Sequence, residues 1–368
     1  MGILFMIFSA VIAIGFIVLI HEGGHYLASR AFGVRVTEFM LGLPGPSVGF
    51  MAGGTRFGVT AVPLGGYARV CGMECGGISP SARGALREAY ERGSVTEEEL
   101  AESLGITEEE AYEALDQLAE WGSIVRPARK DDRQAWKTPA VTPSRHARKQ
   151  AERLGMPAPL QLEAGTPRHV LDPDAFYERE LSCQYRSLPF WKRSVILLAG
   201  IGVNLAFALI AFVVVYSIIG VDYAIPATGE VQHLTLTPLQ AIQAGIGAIV
   251  VTFQAILGLF NPATAGEVMS NSSSVIGIAV MSADFFAKGV ADALFFMAVI
   301  SISIGLMNLL PIPPLDGGRF LVEIIQKVTR RTVPARVMGA VSMAGMALFL
   351  CFFVFMLNQD IQRFILGG

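Results

Sequence analysis

Long apolar runs, interrupted by one extended polar block, set the pattern of this chain. Residues 3–20, 194–220, 293–312 and 337–358 contain no Asp, Glu, Lys or Arg. Each is close to the roughly 20 residues that carry a helix across a hydrocarbon core. The pattern therefore predicts an α-helical polytopic membrane protein with about four core transmembrane helices. A further apolar stretch, 238–260, contains Gly and Gln and suits a span, a re-entrant segment or an interfacial helix. Residues 36–70 alternate turn residues with short apolar runs, which predicts one or more β-hairpins. The polar block reads differently. In "SVTEEELAESLGITEEEAYEALDQLAEWGSIVRP", Leu100, Leu104, Ala111, Leu115 and Leu118 recur at helical spacing. Thr96 and Thr107 each precede a run of Glu, as N-caps do, and Gly105 separates the two helices. This predicts a helix-turn-helix or winged-helix-like part over about 80–126. Three regions follow: 1–76, the first helix and hairpin region; 77–187, an insert; and 188–368, the remaining transmembrane core.

Composition supports the membrane reading. The 368 residues are 52% hydrophobic and 16% charged, against about 25% charged for a soluble domain. The first apolar run lacks a basic n-region and a small-residue cleavage site, so it predicts a retained helix. Net charge is −3 and adds little, but placement adds much: 21 of the 28 Lys and Arg fall between Arg30 and Arg193, none between Ser194 and Ala287, and five between Arg319 and Arg336. By the positive-inside rule the loops after the first and third spans are cytoplasmic and both termini are outside. A lone crossing by 238–260 would reverse that assignment. Within the insert, residues 94–121 hold ten acidic and no basic residues. A helix that repels phosphate argues against DNA binding and favours a protein-interaction or regulatory module with a cytoplasmic protein partner. Residues 126–153 hold nine basic and three acidic residues and suit a solvated linker, a contact with anionic lipid, or one with nucleic acid. Cys71, Cys75 and Cys183 fall on the cytoplasmic side and are expected reduced. Cys71 and Cys75 lack a second pair, which argues against a structural zinc site.

The candidate chemistry interrupts the first apolar run. His21, Glu22, Gly23, Gly24 and His25 form H-E-x-x-H. On a helix this places two imidazoles one turn apart on one face, where both can bind one metal, with Glu22 able to take a proton from water. A catalytic zinc needs a third protein ligand and an open position. His146, His169 and His233 are poorly placed for it. In "MNLLPIPPLDGGRFL", Asp316 follows the third span at the same expected membrane depth as His21. Pro311, Pro313 and Pro314 break the helix there, and Gly317 and Gly318 permit close backbone approach. A helix-capping Asp is the alternative; the matching depth favours a ligand.

These motifs resemble the site-two protease family of intramembrane zinc metalloproteases. "HEGGHYLASRAFGVRV", "LPGPSVGF", "GTRFGVTAVPLGGYARVCGME", "PFWKRSVILLAGIGVN" and "NLLPIPPLDGG" follow the family's order and cover most of 1–76 and 188–330. The resemblance implies hydrolysis of a peptide bond within or near the transmembrane segment of a membrane protein or remnant signal peptide. By matching position, His21, His25 and Asp316 would hold Zn2+ and Glu22 would be the general base. Asn204 and Asn308 match polar positions near the site and would bind the substrate backbone or stabilise an oxyanion, or else serve as helix–helix hydrogen bonds. The 36–70 region would dip into the bilayer and pair with unwound substrate. The implied location is a bacterial cytoplasmic (inner) membrane, with the active site near the cytoplasmic face. Two positions depart from the family pattern: Ile201 stands where A-G-P is usual, and Ser274, Val275, Ile276, Gly277 where a G-P-V-G-like stretch is usual. About twenty residues after the second span cannot hold the PDZ domain many members carry. The competing reading is a non-catalytic membrane regulator or scaffold acting through its cytoplasmic insert.

Overall fold

A computed structural model describes the chain except residues 1, 63–64, 74–76, 129–130, 132, 144, 155, 158–159, 225–230, 332 and 366–368. It divides into two compact units: Met1–Ala31, Glu38–Arg69 and Phe190–Gly368 form the first, Phe32–Thr37 and Val70–Pro189 the second.

The first unit is built on helices. Five of them among the described residues are long and apolar enough to cross a membrane: α1 (Ile3–Ala31), α7 (Phe190–Val213, continued to Ile219), α8 (Pro238–Gly258), α11 (Val290–Asn308) and α13 (Ala335–Asp360). This is one more than the four expected, because α8, the least apolar of the five, is a continuous helix. Its first turn is fixed by Thr237, which caps Gln240 N–H and receives the Gln240 side chain in return, and by Pro238 at the first helical position. Two short helices, α9 (Ala265–Asn271) and α10 (Val275–Lys288), follow α8. Leu236 N–H donates to Tyr216 O at the far end of α7, so α8 starts there. Leu259 and Phe260, past its other end, share a cavity of about 220 Å³ with Leu310, Ile312 and Leu315 beyond α11. The end of α10, Lys288 and Gly289, lines a second cavity of about 600 Å³ with Ile219 and Asp222 at the end of α7. α8 thus runs from the end of α7 towards the end of α11, and α10 ends near the end of α7. Asp360, 1% exposed at the end of α13, accepts from Ser274 N–H at 2.6 Å and Gly277 N–H at 2.9 Å. It thereby caps α10 from a distant helix.

After α1 the chain forms a four-stranded sheet in the order β2-β3-β1-β4, with β1 (Val36–Leu41), β2 (Ser47–Ala52), β3 (Thr55–Thr60) and β4 (Gly66–Val70). β2 and β3 form an antiparallel hairpin whose two-residue loop is Gly53–Gly54, both with positive φ (56° and 82°). Paired positive φ values give the turn the twist of the strands, and glycine alone takes them freely. β1 pairs with β3 in parallel, so the segment is more than a run of hairpins. The outer strand β2 exposes Val48, Phe50 and Met51 at 85%, 66% and 67%.

The second unit contains α2 (Ala82–Arg92), β5 (Ser94–Val95), α3 (Glu97–Leu104), α4 (Glu108–Glu120), β6 (Trp136–Lys137), α5 (Arg145–Arg153) and α6 (Pro173–Ser182). α3 and α4 each begin with a reciprocal capping box, Thr96 with Glu99 and Thr107 with Glu110. Gly105 ends α3 in the left-handed conformation, φ 66°. Leu86, Leu100, Ala111, Leu115, Leu118 and Trp136 are buried in one core. β6 pairs with β5, and Lys137 also bridges to Val125. Arg35 anchors the unit: its guanidinium donates to both Glu180 oxygens at 2.8 and 2.9 Å and to Trp121 O at 3.0 Å.

Candidate metal centre

His21 and His25 lie one turn apart on α1 and are 6% and 7% exposed. Their Nε2 atoms are 3.4 Å apart. Asp316 opens helix α12 (Asp316–Thr329), and its Oδ2 lies 3.2 Å from each Nε2. Among the described residues this is the one group of three or more His, Cys, Asp or Glu side chains with ligand atoms within reach of one ion.

Small residues allow the backbones to come this close. At Gly24 a Cβ would sit 2.6 Å from Ala199 O, and at Gly200 one would sit 2.9 Å from His21 Cε1 and Nε2. The two glycines therefore let α1 and α7 cross in near backbone contact, with the imidazoles lying over Gly200. After Leu310 the prolines end α11. A Cβ at Gly317 would meet Leu310 O at 2.6 Å, and one at Gly318 would meet Ile312 O at 2.8 Å. Only with both glycines does α12 start against the Leu309–Pro313 turn and swing Asp316 under the histidines.

The imidazoles are also held from behind. His25 Nδ1 is 2.8 Å from Ile196 O, an acceptor that places the ring proton on Nδ1 and leaves Nε2 as the free lone pair. Asn204 is fully buried, and its carboxamide lies 3.2 Å from His21 Nδ1. Ser301 Oγ donates to Asn204 O at 3.0 Å, tying α11 to α7 at this level. Glu22 turns towards the sheet: its Oε2 accepts from Ala68 N–H at 3.0 Å. Ala68 is on β4, the edge strand beside β1, so Glu22 meets the sheet at its outer edge. Asn308, at the end of α11, donates to Ile304 O at 3.0 Å within its own helix and is half-buried.

The other candidates lie elsewhere. His233 pairs with Asp222 at 2.8 Å on the short hairpin β7 (Val221–Ala224) and β8 (Val231–Leu234). His146 and His169 belong to the second unit. Cys71 is buried, and burial pushes its thiol up to about 12, unsuited to ligation as thiolate. Cys75 lies outside the described residues.

The donor set fits zinc. For zinc–nitrogen and zinc–oxygen distances of about 2.0–2.1 Å, the edge of a tetrahedron is about 3.3–3.4 Å. The separations of 3.2, 3.2 and 3.4 Å outline one face of such a tetrahedron and leave the fourth vertex to other atoms. Asn204 Oδ1 has no partner although fully enclosed. Turning the carboxamide about its axis sets Oδ1 against a protonated His21 Nδ1, the tautomer that frees Nε2 for a metal.

Motif reading missed Gly200, the Ile196 carbonyl and the Ala68 N–H. A signal existed for the first: two glycines in "LAGIGVN" interrupt an otherwise apolar helix, which marks close approach. Backbone donors and acceptors carry no such mark.

Two buried imidazoles and a carboxylate converge among apolar helices, with a glutamate in the same helical turn, as a candidate metal centre. Comparison with known proteins gives the family. Residues 9–352 match the profile of Peptidase family M50. The chain is 26% identical to a "putative zinc metalloprotease" of Campylobacter jejuni, over 97% of this chain and 93% of that protein. It is 24% identical to one of the same description from Agrobacterium fabrum, over 96% and 95%, and 24% identical to metalloprotease MmpA of Caulobacter vibrioides, over 99% and 97%. The chain belongs to peptidase family M50, the site-two protease family.

Proposed function

We propose that the chain is an intramembrane zinc metalloprotease that hydrolyses a peptide bond within or near the transmembrane segment of a membrane protein or remnant signal peptide. The observation that carries the reading is the His21–His25–Asp316 triangle, set among the apolar helices with Glu22 in the same turn. The relatives' names supply zinc as the metal. His21, His25 and Asp316 hold it, and when bound it supplies Lewis-acid activation of water and of the scissile carbonyl. Glu22 accepts the proton of the attacking water and passes it to the leaving amide nitrogen. The Ala68 N–H holds the Glu22 carboxylate in place until water and substrate arrive. Asn204, enclosed behind His21, fixes the imidazole tautomer, and half-exposed Asn308 is the amide placed to meet substrate backbone. The β4 edge beside Glu22 suits pairing with an extended substrate strand, which uncovers a peptide bond that a helix shields. Apolar β2, with Val48, Phe50 and Met51 outward, suits contact with lipid.

Charge placement supports a site near the cytoplasmic face of a bacterial inner membrane with both termini outside; a return of the chain through α10 after α8 would keep that parity. The insert reads as a winged-helix-like module whose acidic α3 and α4 face a protein partner. A non-catalytic regulator has no use for Glu22, and that supplies the test. Wild type and Glu22→Gln are compared in membranes with a single-span substrate, alongside zinc analysis. Cleavage by wild type alone, with zinc in both, supports the proposal; an intact substrate in both and no zinc in either overturns it.

A further inference from the structure

The second unit separates its charges in an instructive way. Its acidic helices α3 and α4 are partly neutralised by the loop that follows them. Arg126 pairs with Asp116 at 2.8 Å and Arg133 with Glu99 at 2.5 Å, while Lys137 is held within the loop itself by Asp131 at 2.6 Å. In a winged helix, that loop and α4 are the elements that would meet a duplex; here the described cations of the loop are ion-paired and α4 is anionic. Another basic element is not neutralised. Val141 and Leu162 exchange backbone hydrogen bonds of 2.8 and 3.0 Å, closing the base of an excursion, residues 142–161, that carries α5. On α5, Arg148, Lys149 and Arg153 are exposed and make no ion pair among the described residues; Arg148 reaches only Gln161, at 3.4 Å. Directly after α5, Leu154, Met156 and Leu160 are 64%, 60% and 71% exposed. Three exposed aliphatic side chains are costly in water, and beside three cations with no ion pair among the described residues they do not suit a nucleic-acid surface. They match an interface of anionic headgroups over acyl chains, which takes both kinds of group at once.

We propose that the 142–161 excursion docks on anionic phospholipid headgroups, with Arg148, Lys149 and Arg153 on the phosphates and Leu154, Met156 and Leu160 in the headgroup–acyl boundary. The protein is confined to a membrane, so the ligand is always at high local concentration. The acidic α3 and α4 are repelled by the same surface and are left for a partner in solution. Regulation follows from the geometry: surface charge of the bilayer sets how the insert is held.

Hydrogen exchange on the full chain in nanodiscs tests this. Nanodiscs of phosphatidylcholine alone are compared with nanodiscs containing phosphatidylglycerol. A nine-residue helix in which Ala151 alone is buried among the described residues exchanges fast unless something covers it. Protection of 145–161 is expected only with phosphatidylglycerol, and it should fall as salt is raised. Replacing Arg148, Lys149 and Arg153 by Gln together should weaken docking about a hundredfold or more and abolish the protection. Unchanged exchange in α3 and α4 shows that the unit remains folded. Equal exchange in both bilayers overturns the proposal, as does protection that appears only when duplex DNA or RNA is added.

Discussion

Replacing Gly200 by Ala adds a single methyl group where α7 meets the imidazoles. The new Cβ would lie 2.9 Å from His21 Cε1 and Nε2, and closer to His25 Nε2. Ordinary contact begins at 3.4 Å, so ring and helix must separate by at least 0.5 Å (3.4 − 2.9). Metal sites tolerate about ±0.2 Å in ligand distance. The donor triangle therefore opens beyond what one ion can span, and zinc affinity should drop at least about a hundredfold, the upper range for disturbing a ligand's support. Gly202 supplies the control: it lies on the same helix, and its Cβ would meet nothing within 4 Å. Gly202→Ala should keep wild-type affinity and gain about 0.5–1 kcal/mol from helix propensity. The assay is zinc competition against a chromophoric chelator in detergent, with thermal unfolding followed in parallel. If Gly200→Ala binds zinc within threefold of wild type, the imidazoles do not lie against α7 as described and the reasoning fails.

Two further outcomes follow from the same contacts. Asn204→Ala removes the group behind His21 and should weaken zinc binding ten- to hundredfold, whereas Asn308→Ala should leave zinc affinity unchanged and slow hydrolysis; equal zinc affinities for both variants would remove Asn204 from the support of His21. In the second unit, burial alone raises the Glu180 carboxyl, but the Arg35 fork and the Ser123 hydroxyl outweigh it and hold the group below the ordinary glutamate range. Its stabilisation is therefore complete above about pH 4.5, the ordinary value, and is lost as pH falls through the lower folded value. Glu180→Ala should cost about 3 kcal/mol by stranding Arg35 and flatten that acid limb; a melting curve with the wild-type pH dependence would contradict it.

Much of this was legible because it is local. H-E-x-x-H places two imidazoles on one helix face by spacing alone. The Thr96–Glu99 and Thr107–Glu110 boxes are each spelled within four residues, and both formed. Asp316 was legible through its expected depth and through the motif resemblance, not from local spacing: the fold brings residues 295 apart in sequence within 3.2 Å. Long-range pairings left no local trace. The parallel match of β1 with β3 depends on which strand edge is free. The capping of α10 by Asp360 joins elements 83 and 86 residues apart. Asn204 was legible as a polar residue in an apolar helix, but only the helix crossing shows that it faces the back of His21. The five-helix count differs from four because the Gly- and Gln-containing stretch 238–260, ambiguous by composition, forms one continuous helix, α8.

The central claim is that His21, His25 and Asp316 hold one zinc ion, and X-ray absorption at the zinc edge on the purified full chain tests it most directly. The account predicts one zinc per chain in a shell of nitrogen and oxygen at about 2.0–2.1 Å with the outer scattering of two imidazoles, and loss of that signal in His21→Ala and Asp316→Ala. A sulfur shell at about 2.3 Å, or a zinc signal untouched by both substitutions, would place the metal elsewhere and contradict it.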